Sequence, residues 1–136
     1  MAQYLLDTDT CIAFLKGKYQ LLEKVEKVGY ANCFISEITI GELFYGAHYS
    51  EQIDKHKGDV EKTKKLFEVV PIYETLDFFG KEKARLRRVG NLIHDFDLLI
   101  GSTAVHFDMI MVTGNEKHLR RISGIRIENW NKNEVK

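Results

Sequence analysis

The sequence predicts an α/β fold: a central, mainly parallel sheet of four to five strands with helices packed against it. Three features carry that expectation. Brief apolar runs, too short for helices, alternate with longer stretches whose apolar residues recur at helical spacing. Turn-forming polar residues bound the runs, as at Asp7-Thr8-Asp9 and Thr113-Gly114-Asn115-Glu116. Strands that alternate with helices connect through right-handed crossovers, which pair them in parallel. With 136 residues and 44% apolar content, the chain suits one domain over 1–136, with a sizeable core and no room for a second.

Tyr4-Leu5-Leu6 reads as the first strand, apolar throughout and so buried on both faces, with Asp7 at its carboxyl end. In open α/β sheets the ligand crevice lies beyond that end, which puts Asp7 at a rim rather than in the core. Thr8 or Asp9 is the expected cap of a helix of about two turns through Ile12, Ala13, Phe14 and Leu15, stopped by Gly17. Leu21, Leu22, Val25 and Val28 mark a second amphipathic helix over residues 19–28, closed by Gly29. Asn32-Cys33-Phe34-Ile35 is a second strand, and Ser36 caps a helix from about Glu37 to His48. There Glu42 falls among Ile38, Ile40, Leu43, Phe44 and Ala47. A carboxylate beside an apolar stripe must be paired, protonated or metal-bound unless it turns outward to solvent.

Residues 51–68 read as a strongly charged helix or helix pair, interrupted at Gly58, with Ile53, Val60, Leu66 and Phe67 as a thin apolar side. Val69-Val70-Pro71-Ile72 is a third strand, the lone proline suiting an edge or a strand start. Thr75 caps a helix to Val89, stopped by Gly90, whose buried side Leu76, Phe79, Ala84 and Leu86 partly mark. This helix holds the basic cluster Lys81, Lys83, Arg85, Arg87 and Arg88, which suits phosphate contact or simply a solvated helix end. Asp95 is the expected cap of the next helix, with Asp97 in its first turn, and Gly101, Ser102 and Ala104 give that helix a small-residue surface for close approach to the sheet. Met109–Val112 and Ile125–Glu128 complete the strands, and Trp130 anchors the tail.

Composition narrows the function. Twenty basic and twenty acidic side chains cancel, so no global field recruits nucleic acid and any attraction for polyanions is local. Cys11 and Cys33 lie in apolar runs without metal-ligand spacing, as buried free thiols in a reducing cytoplasm do. No basic segment precedes an apolar stretch and no apolar run reaches membrane-spanning length, so a soluble cytoplasmic protein without membrane contact is expected. Asp7, Glu42, Asp97 and Asn115 are the oxygen donors this topology brings towards one crevice. Carboxylates and amides without clustered His or Cys suit Mg²⁺ or Mn²⁺ better than zinc. Packed together without a cation, such carboxylates raise one another's pKa.

Over nearly its whole length the chain resembles the PIN-domain family, and within it the VapC-type toxins of bacterial toxin–antitoxin pairs. The motifs are Leu5-Leu6-Asp7-Thr8-Asp9, the run from Ile38 to Ala47, the run from Asp95 to Gly101, Val112-Thr113-Gly114-Asn115, and the run from Ile125 to Trp130. The resemblance implies a three-layer α/β/α fold and metal-dependent hydrolysis of RNA phosphodiester bonds at Asp7, Glu42 and Asp97, with Asp95 a neighbouring candidate. Asn115 stands at the family's fourth acidic position, where an amide coordinates Mg²⁺ or orients water but brings no charge. His118-Leu119 stands where many relatives have Asp-Phe, and His118 is given no role. Also implied are a structured RNA substrate, a tRNA or rRNA loop, and partners: a second copy of the chain and a cognate antitoxin in a hetero-oligomer. Lys81, Lys83, Arg85 and Lys117 are candidate RNA-backbone contacts, and Phe44, Tyr45 and Tyr49 a candidate antitoxin surface.

Two other functions compete. A phospho-acceptor receiver domain shares the alternating elements and the paired Asp7 and Asp9, but no Asp follows the third strand to accept phosphate. A non-catalytic RNA- or protein-binding module, with Asn115 marking a degraded site, is separated from an enzyme only by cleavage assays.

Overall fold

The computed structural model describes residues 1–133; the last three residues of the predicted 1–136 domain lie outside that range. Strand β1 (Tyr4–Leu6) is the middle of the sheet because its two leucines find apolar partners on either hand. Leu5 stands opposite Phe34 in β2 (Cys33–Ser36) and Met111 in β4 (Ile110–Val112), while Leu6 stands opposite Ile35 and Val112. The edges are β3 (Glu68–Val70) and β5 (Ile127–Glu128). The order is β3-β2-β1-β4-β5, with every pairing parallel, so among the described residues the sheet has five strands.

Successive strand residues face opposite sides, and each side carries its own core. Leu5, Phe34 and Met111 pack with Leu86, Leu98 and Ile100, from α5 (Leu76–Arg88) and α6 (Asp95–His106). Leu6, Ile35 and Val112 pack with Cys11, Leu21, Val25, Val60 and Phe67, beneath α1 (Thr8–Leu15), α2 (Leu21–Val28) and α4 (Ile53–Leu66). The result is a three-layer α/β/α sandwich, with α3 (Glu37–Tyr49) sending Ile38 to one core and Leu43 to the other. Cys11 and Cys33 are buried free thiols, as expected. No helix among the described residues is long and apolar enough to cross a membrane.

Several expected boundaries shift, each for a local reason. Asp7 itself caps α1, its carboxylate accepting from Thr8 N–H, so neither Thr8 nor Asp9 does. Tyr19 and Gln20 take left-handed conformations, φ 58° and 55°, which delays α2 to Leu21. Gly58 does not interrupt α4, an exposed helix in which one glycine costs only about 1 kcal/mol. Pro71 follows the edge strand β3 instead of opening it. The Thr75 hydroxyl turns back to the Ile72 carbonyl at 2.6 Å and leaves the first turn of α5 without a side-chain cap. On that helix Leu76 is exposed whereas Glu82 is buried beside Leu86. His94, not Asp95, caps α6, its Nδ1 accepting from Phe96 N–H at 3.3 Å. The close approach at Gly101 is to Ile122 and Leu119 rather than to the sheet.

Candidate active site

The site grows from the carboxyl end of β1. Asp7 N–H donates to the Val112 carbonyl at 2.9 Å, extending the ladder one residue past the strand. Its carboxylate is held from two sides: Thr8 N–H donates to Oδ1 at 2.8 Å and the Thr113 hydroxyl donates to Oδ2 at 2.7 Å. Thr113 Oγ1 in turn accepts Asn115 N–H at 2.9 Å, so the turn after β4 is tied to Asp7 through one hydroxyl. Asp7 is only 5% exposed. Burial pushes its pKa up to about 7, Asp9 adds to the rise, the bonds from Thr113 and Thr8 oppose it, and Asp97 contributes a smaller push upward.

Glu42 does not turn away to solvent. It is half-buried on α3, and the Thr8 hydroxyl donates to its Oε1 at 2.6 Å while lying 3.0 Å from the Thr39 hydroxyl. Thr8 therefore links Asp7, through its backbone, to Glu42, through its side chain. Asp97 sits half-buried in the first turn of α6. Desolvation raises its pKa, His94 and His118 pull it down, and Asp9 pushes it up.

Asp9 is the residue the sequence reasoning passed over. It presses on both Asp7 and Asp97, and its own carboxylate is fixed: Oδ1 accepts Thr10 N–H at 2.8 Å, and Oδ2 accepts Gly114 N–H at 3.2 Å and the Asn131 amide at 3.3 Å. Its place two residues after Asp7, in the same polar cluster, was the available signal. A Cβ on Gly114 would stand 3.0 Å from both Asp9 Oδ2 and Asn131 Nδ2, so this turn needs the bare backbone. His118, left without a role above, has its Nδ1 2.9 Å from Asn115 Oδ1. An amide oxygen only accepts, so the ring nitrogen donates and the Asn115 oxygen is engaged.

Other sequence candidates lie elsewhere. Asp95 is exposed and ion-paired with Lys83 at 2.9 Å, and it is not among the charges that shift Asp7 or Asp97. The Arg85 guanidinium donates to both oxygens of Glu82, at 3.0 and 2.9 Å, and to the Arg121 carbonyl at 2.8 Å. Arg85 thus holds a buried carboxylate and a loop through its Nε and Nη2 donors, while its side chain stays 41% exposed. Lys81 and Lys117 are exposed. Tyr45 and Tyr49 are exposed and stacked 6.0 Å apart, whereas Phe44 is half-buried against the core.

The donors at this rim are oxygens, and burial and mutual repulsion hold Asp7 and Asp97 above the usual carboxylate range. A hard divalent ion suits that set. Mg²⁺ characteristically takes one or two carboxylates and keeps several waters. Among the described residues no three His, Cys, Asp or Glu side chains form a ready-made metal cage.

The family model described as PIN domain matches residues 4–125. The chain is 33% identical over 132 residues to a Salmonella typhimurium protein named tRNA(fMet)-specific endonuclease VapC, spanning 96% of this chain and 99% of that one. It is 30% identical to Ribonuclease VapC2 of Haemophilus influenzae, spanning 96% and 99%. DNA-bound VapBC from Salmonella typhimurium, a crystal structure, superposes with a TM-score of 0.88 at 32% identity, covering 96% of this chain and 99% of its own.

Proposed function

The chain belongs to the PIN-domain family, among its VapC-type members, and from that premise we propose that it is a divalent-metal-dependent endoribonuclease acting as the toxin of a toxin–antitoxin pair. The observation that carries this reading is the buried Asp7, gripped by Thr8 and Thr113, with Asp9 and Asp97 near enough to raise its pKa and Thr8 bonded in turn to Glu42. The substrate class is a structured RNA opened at an unpaired loop, a tRNA or rRNA, since splayed single strands enter a crevice that a duplex does not. A similar protein named as a tRNA(fMet)-specific endonuclease supports that class. The VapBC complex among the similar structures supports a cognate antitoxin as partner in the cytoplasm, and the exposed Tyr45–Tyr49 stack is a surface it fits. A homodimer within that hetero-oligomer is part of the proposal.

Asp7 and Asp97 would hold Mg²⁺, or Mn²⁺ in its place, which when bound lowers the pKa of water and offsets charge building on the phosphate. The chain's own groups do the rest. Thr8 and Thr113 fix the two Asp7 oxygens, so that carboxylate meets its ligand without reorganising. Glu42, aimed by Thr8, receives a proton from the attacking water at its carboxylate. Asp9 adds negative charge on the side of the turn where Asn115 brings none.

Total RNA incubated with the protein and Mg²⁺ or Mn²⁺ tests the proposal. Specific cleavage that disappears both with EDTA and in Asp7→Ala supports it; identical fragments in all three samples defeat it. Expression without antitoxin should arrest growth, and normal growth with abundant soluble protein would remove the toxin assignment.

A further inference from the structure

We propose that the hollow between α2 and the C-terminal tail binds the phosphate backbone of single-stranded RNA, an inference that rests on the ribonuclease reading and extends the substrate path beyond the carboxylate rim. The hollow, of about 730 Å³, is walled by Tyr4, Val28 and Trp130 and ringed by Lys24, Lys27 and Lys132.

What sets this place apart is that its cations share one concavity: among the described residues Lys24, Lys27 and Lys132 take part in no ion pair, as is also true of Lys81, Arg87 and Arg88 on α5, but the first three ring a single hollow. The Lys24 ammonium donates to the Trp130 carbonyl at 3.0 Å and the Lys132 carbonyl at 2.8 Å. Carbonyls fix its position without cancelling its charge, and its third N–H remains for an anion. Glu128, the carboxylate in the wall, accepts the Trp130 indole N–H at 3.0 Å. Trp130 and Tyr4 form a tilted ring pair at 5.2 Å, giving an apolar surface beside the cations. Cations next to an apolar wall are the chemistry of sequence-tolerant single-strand binding. Three lysines against the single carboxylate of Glu128 leave the hollow with a net positive local field in a chain of net charge zero.

The tail also joins the hollow to the acids. Asn131, between Trp130 and Lys132, donates its amide to Asp9 Oδ2. A strand leaving the rim along residues 131–132 therefore meets the three lysines.

The test is fluorescence anisotropy of an oligouridylate of about 12 nucleotides, a length within the range such sites cover. Binding is read in EDTA, with the oligomer's integrity checked by electrophoresis. The double variant Lys27→Glu/Lys132→Glu changes exposed side chains and leaves Lys24 to hold the tail; circular dichroism confirms its fold. Its Kd should rise at least tenfold, and the slope of log Kd on log salt should fall by about 1.4, two single-strand phosphate contacts. Lys62→Glu, on the exposed side of α4, should change neither. Unchanged affinity in the double variant, no binding by the unmodified protein, or equal binding of a polyglutamate of the same length overturns the proposal. Binding through the lysines by a protein that leaves total RNA uncut with Mg²⁺ or Mn²⁺ supports this hollow and defeats the ribonuclease reading.

Discussion

The Thr8 hydroxyl donates to Glu42 Oε1 at 2.6 Å, across 34 residues of sequence, and so ties the first turn of α1 to the middle of α3. Removing it frees Glu42 to turn towards water without opening a cavity. Thr8→Val should therefore lower RNA cleavage about tenfold, the equivalent of one hydrogen bond to a charged group. Thr8→Ser should restore it. Single-turnover cleavage of a short RNA, with thermal melts showing near-equal stability, is the measurement; a Thr8→Val rate equal to the parent's would refute the role.

Asp7 makes stability fall as pH rises. Its pKa is raised by burial from 3.8 to about 7 in the fold, so between those values the unfolded chain is ionised while the folded one stays protonated. The contribution is complete below pH 3.8, erodes as pH climbs to about 7 and is absent above it. The displacement corresponds to about 4 kcal/mol at most. Asp7→Asn should thus gain Tm over the parent progressively from pH 4 to 7, by several degrees, while losing cleavage. Mg²⁺ or Mn²⁺ should raise the parent's Tm at pH 8, do little at pH 5 and leave Asp7→Asn unaffected at both. Parallel pH profiles for the two proteins would contradict this.

Arg85 is expected to act on stability through Glu82. It donates to both oxygens of Glu82, whose carboxyl lies below the usual range chiefly through those bonds, and Ser123 N–H completes the pocket at 2.9 Å. That stabilisation is present above the ordinary carboxylate pKa and is lost as pH falls through the lowered one. Glu82→Ala should cost about 2 kcal/mol at pH 7 by denaturant titration. Arg85→Ala should lower Tm at pH 7 and leave RNA affinity as it was; weakened binding at unchanged Tm would restore the phosphate role expected from the sequence.

Gly101 should resist replacement even by a better helix former. A Cβ there would clash with Ile122 Cδ1 and sit 3.1 Å from Leu119 Cδ1. Overpacking typically costs 1–3 kcal/mol, against about 1 kcal/mol gained by replacing a helical glycine with alanine. Gly101→Ala is expected to be less stable by about 1 kcal/mol, with Ile122→Val, which deletes the clashing methyl, recovering most of the loss. Urea titrations of the single and double variants decide it.

The buried strands were legible because Leu5-Leu6, Phe34-Ile35 and Met111-Val112 leave no polar side to face water, and their parallel order follows from the crossovers. Helix starts were less legible. At α1 the capping group is Asp7, a residue assigned to the site, so local propensity pointed past it to Thr8. Arg85 looked like a surface cation because its buried partner depends on Ser123, 41 residues from Glu82. Asp9 gains its place only when Gly114 and Asn131 fold against it, contacts spanning 105 and 122 residues. Periodicity reports which side of an element is dry, but not which distant backbone will come to a carboxylate.

The central position of β1 has a bearing on when the site can assemble during synthesis. Asp7 is made 106 residues before Thr113, so its strand lacks one neighbour until residues 110–112 exist, and its carboxylate lacks a hydroxyl partner until Thr113 does. A nascent chain still short of that point on the ribosome has the acids but not their clamp. The proposed nuclease activity thus waits on the translation of Thr113, an interval in which the proposed antitoxin can already be in place.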